Sequence, residues 1–490
     1  MDVLEVMEFP YSAFSHRKRK AITYQASFSA MFSGISSFIY YPAIQPLAHS
    51  LHVSIAAINL TVSAYLIVAG IVPSVIGTMA DEAGRRPVSI LAFTIYFAAN
   101  LGLALQKSYV ALVILRCLQS AGSAGTIAIA YGVIADVTTP QERGGYVGIL
   151  MTFTNSAPSL APVIGGALVQ ELSWRWIFWL LAIVSGANLF SLLLFFPETS
   201  RRLVGNGSFH RRSRINRSLY YMYIKRGKLD EPSTSTETSG FSLSRLVPNP
   251  VACLTALLDK ATLITIIVGS IQYAIYSALG TSLSTEMANR YSLEGLIAGL
   301  IFLPSGIGGL LAAFLTGKLV DHDFQVVRRS LPTRSNPETS GPASANIELL
   351  NFPIEKARLR SVLPFFVTAS IATVAYGWSV HFRVNVAVPL IMQFLSGGSQ
   401  IAMFVVFGTL LTDININNSA TAQASYSIVR CAFAAAAVAL LEPIIQGIGL
   451  GWCLTIYTTL SMACLPLFWI LVAKGWAWRR AKAQAQRDAM

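Results

Sequence analysis

The chain has 490 residues, of which 54% are hydrophobic and only 12% are charged. A globular protein is about one quarter charged, so this composition excludes an intrinsically disordered protein and argues against a soluble multidomain enzyme. The net charge of +13 comes from 36 Lys and Arg against 23 Asp and Glu, and the basic residues lie between long apolar runs. This arrangement is typical of a chain that spans the lipid bilayer, where basic loops set the topology, and it argues against nucleic-acid binding.

The chain shows no pattern of metal ligands or of catalytic side chains. Its five cysteines form no C-x-x-C pair. We therefore expect no metal, no cofactor and no disulfide framework. A membrane-embedded enzyme would need His, Asp or Ser clustered at one membrane face, and the sequence contains no such cluster.

Twelve apolar segments are long enough to cross a bilayer, since a spanning helix needs about 20 mostly apolar residues. The first six are predicted at 22–47, 55–79, 88–106, 109–136, 146–170 and 176–196. The second six are predicted at 261–283, 296–319, 361–380, 384–411, 419–441 and 450–473. The sequence therefore predicts an all-α membrane protein with six-helix halves at 22–196 and 261–473, joined by a polar linker at 197–260.

Lys and Arg are concentrated on one side of the predicted membrane. If the N-terminal tail 1–21 is cytoplasmic, 30 of the 36 basic residues fall in cytoplasmic segments or, for Lys318, at the cytoplasmic end of a span. The predicted outer loops contain four of them, which are Lys107, Arg175, Arg290 and Arg383. By the positive-inside rule, the linker, the insert 321–360 and both tails, 1–21 and 474–490, are predicted to be cytoplasmic.

The most specific motif lies between the second and third predicted spans. Gly77, Asp81, Gly84, Arg85 and Arg86 form the pattern G-x-x-x-D-x-x-G-R-R. Gly77 would let helices approach closely, and Gly84 permits a tight turn. Asp81 can lie at the positive N-terminus of a neighbouring helix, and the two arginines can pair with carboxylates in one conformation and release them in another. The pattern favours a cytoplasmic gate; the alternative is a solvated charged turn that anchors the topology.

Two further features favour a gate at this membrane face. Asp136, at the cytoplasmic end of the fourth span, is the best candidate partner for the arginines. The eighth span ends with Gly317 and Asp321 in the same G-x-x-x-D spacing, and an Arg pair follows. This faint repeat fits a parallel duplication of six-helix halves.

The fifth span contains a second motif of prolines and small residues. Pro158, Pro162, Gly165 and Gly166 follow the pattern P-x-x-x-P-x-x-G-G, with Ala161 before the second proline. A proline removes a backbone hydrogen bond, and small residues let a neighbouring helix pack closely. The alternative is a structural kink with no further role.

Two arginines lie inside predicted spans, Arg116 in the fourth and Arg430 in the eleventh. A charged side chain inside the bilayer is costly and normally faces a cavity or a partner. Acids lie only near span ends, as Asp413 and Glu442 do, so buried arginines without a midspan acid favour an anionic or strongly polar substrate. The alternative is that each arginine forms a structural clamp. The other candidate lining residues are Gln119, Asn155, Gln272, Tyr276 and Gln393.

The motifs at 77–86, 116–120 and 161–166 resemble signatures of the major facilitator superfamily. Further stretches resemble its fungal twelve-helix drug:proton antiporters of the quinidine-resistance type, at 196–201, 302–306, 317–321, 427–431 and 449–452. The resemblance implies two pseudo-symmetric six-helix bundles, alternating access about a midplane site, and efflux. It does not imply a particular substrate.

Sequence and resemblance together predict a secondary active transporter, not an enzyme, that exports a small organic molecule across the plasma membrane by proton-linked antiport. An organic acid or a secondary metabolite, anionic or polar, is favoured as cargo. One alternative is a broad multidrug efflux pump for cationic or neutral compounds, and another is a membrane sensor that does not transport. The expected partners are the small-molecule substrate, protons and the lipid bilayer, and the chain is expected to be a monomer.

Overall fold

A computed structural model describes residues 12–139, 142–206, 255–293, 295–330, 352–415 and 419–488. These residues are almost entirely helical and include no strand, which confirms the predicted all-α class. The physical reason is that a segment in lipid must satisfy every backbone N–H and C=O internally, and a helix does so within one segment.

The helices follow the predicted order along the chain. The first nine are α1 (His16–Phe38), α2 (Ile44–Leu51), α3 (Ile55–Ala83), α4 (Arg85–Leu105), α5 (Tyr109–Ser123), α6 (Thr126–Val137), α7 (Arg143–Glu171), α8 (Arg175–Leu194) and α9 (Arg201–Val204). The next five are α10 (Lys260–Ser282), α11 (Ala288–Arg290), α12 (Gly295–Leu300), α13 (Leu303–Ser330) and α14 (Ile354–Leu359). The last five are α15 (Val362–His381), α16 (Ala387–Ile414), α17 (Ser419–Ile448), α18 (Leu450–Met462) and α19 (Leu465–Asp488).

Eleven helical stretches within the described residues are long and apolar enough to cross a membrane. They coincide with the second to twelfth predicted spans. The first predicted span, 22–47, is also helical, but a short 3-10 turn at Tyr41–Ala43 separates α1 from α2. Because α1 begins with five consecutive basic residues and carries many serines, it falls short of the same apolar length. The count is therefore one fewer than predicted.

Contacts divide the chain into two compact units. The described residues of the first unit lie within Met1–Ser36, Val72–Ala157 and Arg175–Asn249. Those of the second unit lie within Ser37–Ile71, Pro158–Trp174 and Pro250–Met490. The division falls inside α1, α3 and α7. The predicted six-helix halves stay a prediction, and much of the linker and of the insert lies outside the described residues.

Aromatic side chains from α1 and α4 form the centre of the first unit's core. The ring centroid of Phe32 is 5.3 Å from that of Phe93 and 5.6 Å from that of Tyr96, and all three side chains are buried. Each such edge-to-face pair adds about 0.5–1.5 kcal/mol to the stabilisation from buried area. Since α4 also packs along α5 and α8, its first residues, Arg85 and Arg86, are held within a rigid group of helices.

Small residues let helices of the second unit approach closely. Helix α13 packs along α16, and α10 packs along α17. A methyl group at Gly398 of α16 would lie 3.1 Å from the carbonyl oxygen of Gly308 in α13, so these helices meet backbone to backbone. Lipid supplies no hydrophobic force between helices, and such packing contacts replace it. The pairing of α10 with α17 places Tyr273 near Arg430.

Candidate functional site

Arg85, the first residue of α4, lies between two carboxylates of the first unit. Its Nη2 is 2.6 Å from Asp81 Oδ1, and its Nε donates to Asp136 Oδ2 at 3.1 Å. The Asp81 side chain is 62% exposed, whereas that of Asp136 is 11% exposed. Water screens an exposed ion pair, and breaking a buried one leaves an uncompensated charge. Three predicted gate residues, Asp81, Arg85 and Asp136, therefore lie in contact. Loss of the Asp136 carboxylate should lower the stability of the protein more than loss of the Asp81 carboxylate.

Glu198, which was not among the predicted gate residues, caps the N-terminus of α4. Its carboxylate accepts from the backbone N–H of Arg85 at 2.9 Å and of Arg86 at 3.2 Å, and the residue is 5% exposed. The first N–H groups of a helix lack intrahelical partners and carry partial positive charge, so a buried anion is favourable there. Glu198, rather than Asp81, is thus the anion at a helix N-terminus. Its signal in the sequence is an acid directly after the sixth span.

Gly84 is required by the same arrangement. Its φ of +110° lies in a region that residues with side chains rarely adopt. A methyl group there would lie 2.5 Å from Glu198 Oε2, so a side chain would displace the capping carboxylate. The predicted tight turn therefore also makes room for the cap.

Arg86 is bound chiefly by backbone carbonyls and not, as predicted, by a carboxylate alone. Its Nη1 donates to the carbonyl oxygens of Leu192 and Phe196, and its Nη2 donates to that of Leu193 at 2.8 Å. The last carbonyls of a helix carry partial negative charge, and the guanidinium fork can reach several of them at once. Arg86 also interacts electrostatically with Glu198. The start of α4 and the chain at the end of α8 therefore cap each other.

The second unit contains a corresponding set of ion pairs. Arg358 Nε donates to Asp413 Oδ2 at 2.8 Å, and Asp413 ends the tenth span as Asp136 ends the fourth. Arg479 Nη2 is 3.0 Å from Glu355 Oε2, and both side chains are buried. Each unit thus contains a partly exposed and a buried charged cluster at the helix ends that are predicted to be cytoplasmic.

Gly77 does not make the predicted close helix contact, and its counterpart in the repeat, Gly317, makes none either. At Gly77 and at Gly317, no described atom of a neighbouring segment lies within 4 Å of the point where a methyl group would be. Asp321 lies on α13, but its side chain is outside the described part of the structure. The internal repeat is therefore better supported by the ion pairs than by these glycines.

The helix-five motif lies within α7, which continues through Pro158 and Pro162. A methyl group at Gly166 would lie 3.0 Å from the backbone nitrogen of Gly299 in α12. Gly165 is equally crowded by the backbone that follows α1. The motif therefore allows α7 to contact two other segments of the second unit backbone to backbone.

We expect Gly166→Val to separate α7 from α12. Overpacking of this kind typically costs about 1–3 kcal/mol, so thermal stability and transport rate should both fall. Gly148→Val is the matched control, because it lies in the same helix and no described atom lies within 4 Å of its added methyl position. Thermal unfolding of the purified full-length variants in nanodiscs measures the difference. Equal losses in both variants would show that the close contact has no special role.

Arg116 is held by a polar network inside the first unit. Its Nη1 donates to the carbonyl oxygen of Ser36 at 3.2 Å and to Gln119 Oε1 at 2.5 Å. Gln119 Nε2 in turn donates to Asn100 Oδ1 at 2.7 Å. Arg116 is 1% exposed and Gln119 is fully buried. This geometry matches the clamp alternative, since the guanidinium and Gln119 together link α1, α4 and α5.

Arg430 has different surroundings in the second unit. Its guanidinium carbon lies 4.8, 5.0 and 5.6 Å from the ring centroids of Tyr273, Phe404 and Tyr426. The ring faces stabilise the cation through their quadrupoles. The residue is half-buried, and its Nε has no hydrogen-bond partner among the described residues. None of the groups that interact with it electrostatically is a carboxylate.

Two other predicted lining residues, Tyr276 and Gln393, meet in a small cavity of the second unit. Phe38, Pro158 and Phe302 also line this cavity. Gln393 is buried and interacts with the Tyr376 side chain. The cavity is therefore largely apolar, with one amide group at its wall.

The remaining predicted lining residues have different local surroundings. Gln272 is buried and donates to Ser461 Oγ at 2.6 Å, which satisfies one of its amide groups. Asn155 is half-buried and belongs to the first unit. The sequence shows which residues of a helix are polar. It does not show which of their side chains are hydrogen-bonded to other residues in the folded chain.

Residues 26–439 match the family model described as the Major Facilitator Superfamily. The chain belongs to this superfamily. It is therefore a multi-pass membrane transporter and not an enzyme, as predicted.

Several fungal members of the superfamily resemble the chain over nearly its whole length. It is 38% identical to MFS-type transporter phiD of a fungal species (strain ATCC 74256), over 99% of this chain and 72% of that protein. It is also 38% identical to MFS-type transporter tstD of Talaromyces stipitatus, over 98% of this chain and 87% of that protein. Citrate exporter 1 of Aspergillus niger is 33% identical, over 96% of this chain and 89% of that protein. These relatives support a transporter of small organic molecules.

Solved structures of other transporters share the fold. A POT family transporter in complex with 5-aminolevulinic acid matches with a TM-score of 0.61 and 13% identity, covering 93% of this chain and 96% of that one. A bacterial homologue of the human lysosomal transporter Spinster matches with a TM-score of 0.58 and 13% identity, covering 95% and 98%. At this identity the likeness concerns the fold alone, and it agrees with the predicted major facilitator architecture.

Proposed function

We propose that this transporter exports a small organic anion, such as an organic acid or an acidic secondary metabolite, across the plasma membrane by proton-linked alternating access. The observation that carries the proposal is Arg430, a half-buried cation that is surrounded by aromatic rings and paired with no described carboxylate. A relative whose name is Citrate exporter 1 is consistent with a carboxylate cargo.

The contrast between the two intramembrane arginines supports this assignment. Arg116 already donates to a backbone carbonyl and to Gln119, and it is almost fully buried. Arg430 is stabilised by ring faces, which leave hydrogen-bond donors available to a ligand. A substrate carboxylate can accept two parallel hydrogen bonds from such a guanidinium, and charge-assisted bonds are about twice as strong as neutral ones. Arg430 is therefore the proposed anion-binding residue, and Arg116 a structural one.

Alternating access is supported by polar contacts within the second unit at the helix ends predicted to face outside. Gln45 Nε2 donates to the carbonyl oxygen of Thr285 at 3.1 Å, and Leu296 donates its backbone N–H to Gln170 Oε1 at 2.7 Å. Each contact joins a segment of the first predicted half to one of the second. Single hydrogen bonds contribute only about 0.5–1.5 kcal/mol net, so they can break and reform during a transport cycle.

The second candidate function is export of neutral or cationic drugs. The small cavity favours this alternative, because Phe38, Tyr276 and Phe302 line it and no charged residue does. Tyr41 and Phe302 also stack, with centroids 5.8 Å apart. An apolar compound would gain burial against these rings, whereas a cation near Arg430 would be repelled.

Transport by the full-length chain in proteoliposomes tests the proposal. Citrate and tetraphenylphosphonium are loaded in separate experiments, and each is followed with and without an imposed pH gradient. We expect citrate to leave protein-containing vesicles faster than protein-free vesicles, and faster when the opposite side is acidic. Tetraphenylphosphonium should not respond. Transport of the cation but not of citrate would overturn the anion assignment in favour of the drug pump.

A further inference from the structure

Glu442 in α17 is a buried acid without a cationic partner. The residue is 6% exposed. Its Oε1 accepts from Gln446 Nε2 at 3.2 Å, while its Oε2 is buried and has no hydrogen-bond partner among the described residues. Within the described chain it forms no ion pair. The residue was predicted to lie at a helix end, where water would be expected to solvate it, yet packing removes that water.

An ionised carboxylate in this position would be expensive. The effective penalty for burying one charge is several kcal/mol, and a cation or several hydrogen bonds must offset it. A single amide donor on one oxygen does not do so. Binding a proton at Oε2 removes the charge and supplies a donor.

The neighbouring charges do not remove this need. Glu286 interacts electrostatically with Glu442, but Glu286 is already paired with Arg290, whose Nε is 2.9 Å from its Oε2. Arg290 Nη1 also donates to the carbonyl oxygen of His381 at 3.2 Å. The titratable and charged groups on the segments near this end of α17 include Glu286, Arg290, Tyr291, His381, Cys453 and Tyr457. His52 lies just before α3, which also packs along α17. Arg290 is therefore paired with Glu286, and the negative charge of an ionised Glu442 remains uncompensated.

The acids lie beside a contact that joins the two predicted halves. Glu286 belongs to the π-helical turn Leu283–Met287 that follows α10. The carbonyl oxygens of Ser284 and Thr285, just before Glu286, accept from Gln45 Nε2 at 3.4 and 3.1 Å. The distribution of basic residues assigns this end to the outer side. Closing these contacts therefore places Glu442 away from outer water.

We propose that Glu442 is the proton-binding residue of the export cycle. A proton from the outer water bonds to Oε2 as this end of the protein closes, so the closed form holds one proton more than the form open to the outside. The proton leaves to the cytoplasmic water before the next cargo binds, so one proton enters for each cargo exported. Acid on the outer side then favours closure and speeds the return of the empty carrier, and alkaline outer water slows it. The inference rests on the proposed proton-linked export and names its proton carrier.

Infrared spectroscopy of the full-length protein in nanodiscs tests the proton directly. At neutral pH the wild type should show the C=O stretch of a protonated carboxyl group, and Glu442→Gln should lose it. Glu442→Asp should keep a shifted band. Glu171→Gln, at an exposed acid on the same predicted face, is the matched control and should keep the original band. Absence of the band from the wild type, or its survival in Glu442→Gln, would overturn the proposal.

Transport provides the second arm, with citrate as the probe. Outer acidification should speed wild-type export by about tenfold per pH unit while Glu442 is mostly unprotonated in the form open to the outside, as expected for one proton. Glu442→Gln should keep a rate that no longer depends on outer pH, and a slope equal to that of the wild type would contradict the assignment. If the wild type does not move citrate, the cargo proposal fails, whereas the infrared band still decides whether Glu442 holds the proton.

Discussion

Arg430→Gln should lower export of a carboxylate cargo by at least about tenfold while leaving the amount of folded protein unchanged. Hydrogen bonds to charged groups contribute about 1.5–3 kcal/mol, and each 1.4 kcal/mol corresponds to a factor of ten in affinity. The three rings around the guanidinium remain in place, so a neutral aromatic compound should bind the variant at least as well as the wild type. Transport in proteoliposomes that contain both citrate and a neutral aromatic compound measures the loss of citrate export and the retained binding of the neutral compound.

Two further variants show whether charge or geometry matters at this site. Arg430→Lys keeps the charge but loses the planar fork, so its loss should be intermediate. Arg116→Gln is the matched control, because Arg116 is bonded inside the protein. It should lower thermal stability without changing the preference between anionic and neutral cargo. If Arg116→Gln changed the preference and Arg430→Gln did not, the roles assigned to the two arginines would be reversed.

Glu198→Ala should destabilise the first unit more than any other single change in the gate motif. It removes the acceptor of the backbone N–H groups of Arg85, Arg86, Thr199 and Ser200, and it removes the negative charge near the buried Arg86. Leaving a buried donor without its acceptor costs about 1–3 kcal/mol, and four backbone N–H groups lose theirs here. We expect a lower yield of folded protein and a clear fall in the thermal unfolding temperature, measured on the purified full-length chain.

The comparison variant is Asp81→Asn. Its side chain is 62% exposed, so loss of its ion pair with Arg85 should cost only about 0.2–1 kcal/mol. Glu198→Gln should be intermediate, since an amide oxygen can still accept hydrogen bonds but carries no charge. A larger loss of stability in Asp81→Asn than in Glu198→Ala would mean that the helix cap is not what holds this end together.

The fold was predictable because long apolar segments and basic loops impose strong constraints in lipid. Eleven predicted spans match helices with suitable length and composition. The first predicted span differs, because Pro42 and the 3-10 turn at Tyr41–Ala43 interrupt a run of apolar residues that is continuous in composition. The average composition of a segment does not show where local backbone geometry interrupts a helix.

The candidate site was less predictable, because it depends on which groups the folded chain brings within reach. The pairing of Arg85 with Asp136 followed from opposite charges at the same predicted face. The different environments of Arg116 and Arg430 did not follow, since both look alike in the sequence. The two arginines differ in their neighbours. Gln119 accepts a hydrogen bond from Arg116, whereas three aromatic rings surround Arg430.

The reciprocal capping between α4 and α8 also has a consequence for how the protein is made. Arg86 is synthesised more than one hundred residues before Leu192, Leu193 and Phe196, the residues whose carbonyl oxygens bind it. Until that later segment leaves the ribosome, the guanidinium and the first N–H groups of α4 have only water and lipid headgroups as partners in a membrane-inserted fragment. Early fragments of this transporter should therefore be good clients for membrane chaperones. Release should coincide with synthesis of the segment around Glu198, after which both helix ends are satisfied in a single step.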